Sequence, residues 1–157
     1  MTFTLDADEH YMSVALMLAL HGADEGEVPV AALAVRNGCI IAAGWNRMER
    51  SHDATAHAEM EVLRKCSVIA PSWRLDGVTV YVTLEPCAMC AGALVLARVD
   101  RIVYGARDPK KGADGSVVQV LQHDSNTHHP NVREGVLCAE SQEVLQQFFR
   151  ERRKLVK

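Results

Sequence analysis

Apolar and polar positions alternate along this 157-residue chain with two periods, one helical and one extended. Met12, Ala15, Leu16, Ala19 and Leu20 recur at i, i+3, i+4, i+7 and i+8, which predicts a helix with one apolar face. Asp6 and Glu9 fit a D-x-x-E variant of the capping box and set its start, with an end near His21. Ala31–Arg36 and Cys39–Trp45 flank Asn37-Gly38, the dipeptide suited to a type I′ turn because both central residues need positive φ, so a hairpin is predicted. A polar stretch, Asn46 to Asp53, precedes a second predicted helix from about Thr55 to Ser67. Val78–Leu84, rich in β-branched residues, reads as a strand. Pro86 suits the first turn of a helix running to about Arg98, and Arg101–Ala106 reads as the next strand. Strand, helix, strand in this order predicts a parallel unit. Arg107 to Asn131 is rich in loop residues, and a last helix runs from about Ser141 into the C-terminus with Val144, Phe148 and Leu155 on one stripe. The pattern predicts an α/β sandwich with a mixed sheet.

Without internal repeats or a linker-like stretch, residues 1–157 read as a single domain with a basic helix end at 150–157. The formal net charge of -3 excludes a general basic coat for nucleic acid but hides a polarity. Residues 150–157 carry a net +4, so the rest of the chain sums to -7. The apolar run Met12–Leu20 follows Asp6, Asp8 and Glu9, which does not fit a signal peptide, and it is too short to span a bilayer. A cytoplasmic location with reduced thiols is expected. In that setting closely spaced cysteines more often bind metal or do chemistry than form bridges. Of the five cysteines, Cys39, Cys66 and Cys138 lie in apolar stretches and are expected in the core.

The remaining two belong to a constellation. His57-Ala58-Glu59 is followed by Pro86-Cys87-Ala88-Met89-Cys90. Cys87 and Cys90, three apart, share one helix face, and a helix N-terminus favours the thiolate form. One imidazole and two thiolates make a three-ligand Zn²⁺ site whose fourth tetrahedral position stays open to water, the catalytic pattern. Two thiolates neutralise the metal's charge, so that water is acidified less than in an all-histidine site and needs a base. Glu59 is the candidate: at i+2 it need not share the face of His57 and can shuttle the proton. A lone C-x-x-C would be weak evidence and a lone histidine more often structural. The coincidence of H-x-E with P-C-x-x-C beside two predicted helix starts favours chemistry.

These residues resemble the zinc-dependent cytidine and deoxycytidylate deaminase superfamily and, more narrowly, the bacterial tRNA-specific adenosine deaminases, whose signature is the established base-flipping example. The narrower resemblance rests on Glu27-Val28-Pro29-Val30, Gly44-Trp45-Asn46, Asp53 to Glu59, Tyr81 to Cys87, Gly105-Ala106-Arg107-Asp108, Gly112-Ala113, and Phe148-Phe149-Arg150 with Arg152-Arg153. It implies a three-layer α/β/α sandwich with a mixed sheet, a homodimer with one Zn²⁺ per subunit, and hydrolytic deamination of the wobble adenosine in a tRNA anticodon stem-loop to inosine. By the same resemblance His57, Cys87 and Cys90 hold zinc and Glu59 moves the proton. Asn46 bonds the flipped nucleotide, Val30 and Leu84 wall the base pocket, and Asp108 touches the nucleotide backbone or ribose.

Phe148 and Phe149 beside Arg150, Arg152 and Arg153 combine stacking faces with phosphate-binding charge. One Phe is expected in the core, and Phe149, Arg152 and Arg153 are expected at the RNA. Arg107, Lys110 and Lys111 either extend that surface or are simply solvated. His123, His128 and His129 look like a metal cluster but are taken as loop residues, since the zinc set is complete without them. Two other readings stay open at this point: a deaminase of free guanine or cytosine, and a catalytically silent RNA-binding subunit, against which the intact Glu59 argues.

Overall fold

The computed structural model describes residues 6–156. Its centre is a five-stranded sheet in the order β2-β1-β3-β4-β5. The hairpin β1 (Ala31–Arg36) and β2 (Cys39–Trp45) forms as the sequence predicts. Asn37 (φ 52°) and Gly38 (φ 74°) both take the left-handed conformation that a type I′ turn demands. β3 (Val78–Leu84) pairs antiparallel with β1, and β4 (Arg101–Ala106) pairs parallel with β3, giving the mixed sheet.

Strand alternation divides the interior into two layers. Ala32, Ala34, Val80, Val82, Ile102 and Tyr104 face one side, where Ala58, Val62, Cys66, Ala91 and Leu94 of α3 (Ala58–Ile69) and α4 (Ala88–Leu96) cover them. Leu33, Val35, Tyr81 and Val103 face the other, against Met12, Ala15 and Leu16 of α1 (Ala7–Asp24). α5 (Cys138–Leu155) packs on β4 and α1 in that second layer. The result is the expected α/β/α sandwich.

Asp8 pins α1 to the sheet. Its buried carboxylate accepts two hydrogen bonds from Arg101 at 2.7 Å each, one from Tyr81 Oη at 2.8 Å, and another from Arg133. The Arg101 guanidinium, opposed by burial and aided by Tyr81 and Arg133, holds the Asp8 carboxyl well below the usual carboxylate range. Asp6 is the N-cap of α1, as expected, but its carboxylate accepts from the Asp8 amide and not from that of Glu9, as the capping box would have it.

Several expectations need correction. The stretch 46–53 contains a short helix, α2 (Met48–Ser51). α3 and α4 begin later than predicted, because His57 and Cys87 are their N-caps and Pro86 precedes the helix. A three-residue strand, β5 (Asn131–Arg133), was not foreseen. Leu20 is exposed, and Leu155, expected on the apolar stripe of α5, is 84% exposed. Neither Phe joins the core: Phe148 is half-buried and Phe149 is 44% exposed. Only Cys66 of the three presumed core cysteines is buried; Cys39 opens β2 at the surface and Cys138 is half-buried at the start of α5. The last cation of the tail, Lys157, lies outside the described residues.

Candidate metal centre and substrate groove

Two helix N-termini converge on one point. His57 caps α3 and Cys87 caps α4, both with extended backbone, and neither side chain bonds its own helix. Both side chains are therefore free to turn toward each other. His57 Nδ1 lies 3.5 Å from Cys87 Sγ and 3.6 Å from Cys90 Sγ. Zinc–sulfur and zinc–nitrogen bonds of about 2.3 and 2.0 Å at a tetrahedral angle put N and S about 3.5 Å apart, so the trio has the spacing of a tetrahedral site. These three are the one His/Cys/Asp/Glu group among the described residues arranged to hold a metal ion. His123, His128 and His129 do not gather: His128 Nε2 bonds the Val99 carbonyl, His129 Nε2 the His123 carbonyl, and His123 Nδ1 the Ser125 hydroxyl.

The electrostatics suit a cation. The hydrogen bond from Cys90, opposed by burial and aided by His57, pulls the Cys87 thiol down to about 3, so this residue is a thiolate at neutral pH. The same pairing, with burial and the nearby Glu59 charge, pushes the Cys90 thiol up. A divalent ion would take the place of the proton the two sulfurs share. Glu59, the second residue of α3, is 4% exposed. Burial drives its carboxyl up to about 7, with the Cys87 charge adding to the rise. A carboxyl poised near neutrality can both take and return a proton.

A groove of about 1470 Å³ opens over this centre. It exceeds the roughly 300–1,000 Å³ of a typical small-molecule pocket. Val30 and Leu84 form walls near His57 and Glu59, as expected for a base pocket. Asn46 lines it too, and its orientation is fixed: Oδ1 accepts from the Ala58 amide at 3.1 Å. The amide nitrogen, with no protein partner in that bond, is the end left to donate. Asp108, Phe149, Arg152 and Arg153 all reach the same groove, so the substrate-binding residues singled out from the sequence border one cavity with His57, Glu59 and Cys87, while Cys90 lies buried behind its wall. Arg107, Lys110 and Lys111, left undecided by the sequence, also line it. Sequence reasoning missed Met48, Gln142, Leu145 and Gln146, which complete the walls from α2 and the start of α5. Helical periodicity on α5 could have indicated the last three; nothing in the sequence marked Met48.

Residues 5–106 match the model of the cytidine and deoxycytidylate deaminase zinc-binding region. The chain belongs to this zinc-dependent deaminase family. Zinc is accordingly the metal that His57, Cys87 and Cys90 are suited to hold. Among its relatives in the deaminase family, the tRNA-specific adenosine deaminase of Bacillus subtilis is 47% identical, over 94% of this chain and 91% of that protein. The tRNA-specific adenosine deaminase of Agrobacterium fabrum is 44% identical, over 92% and 95%. A solved structure from a study of A-to-I editing by tRNA:A34 deaminases superposes with a TM-score of 0.82 at 43% identity, covering 87% of this chain and 99% of that one. The sheet order and helix layers are thus those of the deaminase family.

Proposed function

We propose that the protein is a zinc-dependent hydrolase that converts the wobble adenosine of a tRNA anticodon to inosine with release of ammonia. The observation that carries this reading is the continuity of one groove, from the His57–Cys87–Cys90 centre with Glu59 to the aromatic and basic end of α5. A free nucleobase would use the inner wall alone, whereas a polynucleotide uses its whole length. The likeness to tRNA-specific adenosine deaminases over nearly the full chain supports the same substrate.

The residues divide the work as follows. His57 Nδ1, Cys87 Sγ and Cys90 Sγ hold one zinc per subunit, which when bound supplies the Lewis acidity that makes water nucleophilic near neutral pH. The Glu59 carboxylate takes a proton from the attacking water, delivers it to N1 of the adenine, and passes a proton to the amine that leaves from C6. Water and adenosine thus become inosine and ammonia. Asn46 donates to the flipped base, and Val30 and Leu84 sandwich it and exclude bulk solvent. A base can reach this floor only by leaving its stack, which a single-stranded anticodon loop permits at low cost. Asp108 holds the neighbouring ribose or backbone through the carboxylate oxygen not engaged by the Lys110 and Lys111 amides. Phe149 stacks on an unpaired base, and Arg152 and Arg153 meet phosphates.

The whole chain, residues 1–157, acts as one domain, in the cytoplasm and as a homodimer. No helix among the described residues is long and apolar enough to cross a membrane. Exposed Val68, Ile69 and Leu96 at the C-terminal ends of α3 and α4 supply apolar surface for a partner copy. Sedimentation of the zinc-loaded protein tests the dimer; a monomer at micromolar concentration contradicts it. The substrate is tested by incubating the protein with an anticodon stem-loop carrying wobble adenosine, and in parallel with free adenosine, cytidine and guanine. Inosine in the RNA alone is expected, and turnover of a free base instead would overturn the assignment.

A further inference from the structure

Glu85 is a buried carboxylate with no part in the chemistry above. It follows β3 and precedes Cys87 by two residues; it borders the groove but is only 2% exposed, and both its carboxylate oxygens are engaged within the protein. Its partners are the two ends of a single loop. Oε2 accepts from the Asp108 amide at 2.9 Å and from the Ser116 hydroxyl; Oε1 accepts from the amides of Asp114 at 2.9 Å and Ser116 at 3.3 Å. Burying an ionised carboxylate is costly unless it is hydrogen-bonded, and four donors on two oxygens supply that compensation.

The loop is shaped around this anion. A Cβ at Gly112 would lie 2.3 Å from Glu85 Oε2 and 2.6 Å from the Asp108 carbonyl oxygen, so only glycine lets the chain pass. The Ala113 amide donates to the Pro86 carbonyl at 2.8 Å, tying the loop to the residue beside Cys87. From the loop so fixed, Asp108, Lys110 and Lys111 reach the groove. The carboxylate therefore couples the segment between β3 and α4, which leads into the metal ligand Cys87, to the cationic rim.

We propose that Glu85 is a positioning residue for RNA: by clamping residues 108–116 it sets where Asp108, Lys110 and Lys111 meet the nucleotide backbone, and so governs affinity and not the chemical step. This rests on the polynucleotide reading above. Glu85→Gln keeps the shape but turns an NH₂ toward N–H donors. In the zinc-loaded, full-length protein it is expected to raise KM for the anticodon stem-loop at least tenfold. kcat per bound zinc should stay within about threefold. The slope of log KM against log salt should fall by roughly one phosphate contact, about 0.7. Amide hydrogen exchange at Asp108, Asp114 and Ser116 should accelerate at least tenfold without RNA present. Gly112→Ala, which displaces the same carboxylate, should reproduce the pattern, and Ser116→Ala should give a weaker version of it, so the test survives if one variant fails to fold. A lowered kcat with unchanged KM and salt slope, or unaltered exchange at the three amides, overturns the proposal. Failure of the unmodified protein to act on RNA would instead overturn the substrate reading, which the exchange measurement does not depend on.

Discussion

Replacing Asp8 with Ala should weaken the fold while leaving the chemistry intact, because Asp8 serves the layer of the sandwich opposite the metal centre. The substitution removes the acceptor of two 2.7 Å bonds from Arg101 and one 2.8 Å bond from Tyr81. Breaking a buried pair costs about 3–5 kcal/mol when the surviving charge stays buried. Here Arg101 is about a third exposed and Arg133 more so, and both can rehydrate, which lowers that part. The Tyr81 hydroxyl, on a side chain 4% exposed, is left without its acceptor, at about 1–3 kcal/mol. The expected loss is about 3 kcal/mol, or roughly 6–12 °C in Tm for a chain of this length. The pH dependence follows from the depressed carboxyl of folded Asp8. Its contribution is fully present above the unfolded value near 3.8 and is lost as pH falls toward the lower folded value. Urea unfolding of both zinc-loaded proteins should therefore show a constant gap from pH 8 to 5, narrowing by about 1.4 kcal/mol per unit below 4. A gap under 1 kcal/mol at pH 7, or one level from pH 7 to 3, would refute the reasoning, and so would a kcat at 25 °C lowered more than twofold.

Glu59→Gln should retain one zinc per subunit and lose deamination by at least 10²-fold, measured as inosine formed per zinc-loaded subunit; near-normal turnover would remove its proton-transfer role. Deleting residues 150–157 should weaken RNA binding and flatten its salt dependence while zinc content holds; an unchanged salt slope would show that the tail makes no phosphate contacts. Chelation should abolish activity and stoichiometric zinc should restore it, with proton release on rebinding from the sulfur pair; activity persisting at undetectable zinc would contradict the metal's place in the reaction.

The hairpin was legible because Asn-Gly has few alternatives to a type I′ turn, and β3 and β4 because β-branched runs in a buried sheet leave little ambiguity. The metal trio was legible because its chemistry admits few residue types. Where the two kinds of signal met, local reading failed at the edges. Helix starts are normally marked by Ser, Thr, Asp or Asn, but His57 and Cys87 occupy the N-cap positions of α3 and α4 as metal ligands, and both starts were placed too early. β5 has three residues after Pro130, too few to show alternation, and is defined by pairing with β4. Phe148 and Leu155 continue the apolar stripe of α5, yet Phe148 is only half-buried and Leu155 is exposed, so the pattern overstated their burial. Glu85 looked like part of a motif, and its gathering of four donors depends on contacts 23 to 31 residues away.

The most direct test of the central claim is mass-spectrometric nucleoside analysis of an anticodon stem-loop after incubation with the zinc-loaded protein. The account predicts conversion of the single wobble adenosine to inosine, with other adenosines untouched and Glu59→Gln inert. An RNA recovered unchanged under conditions where free guanine or cytosine is deaminated would contradict it.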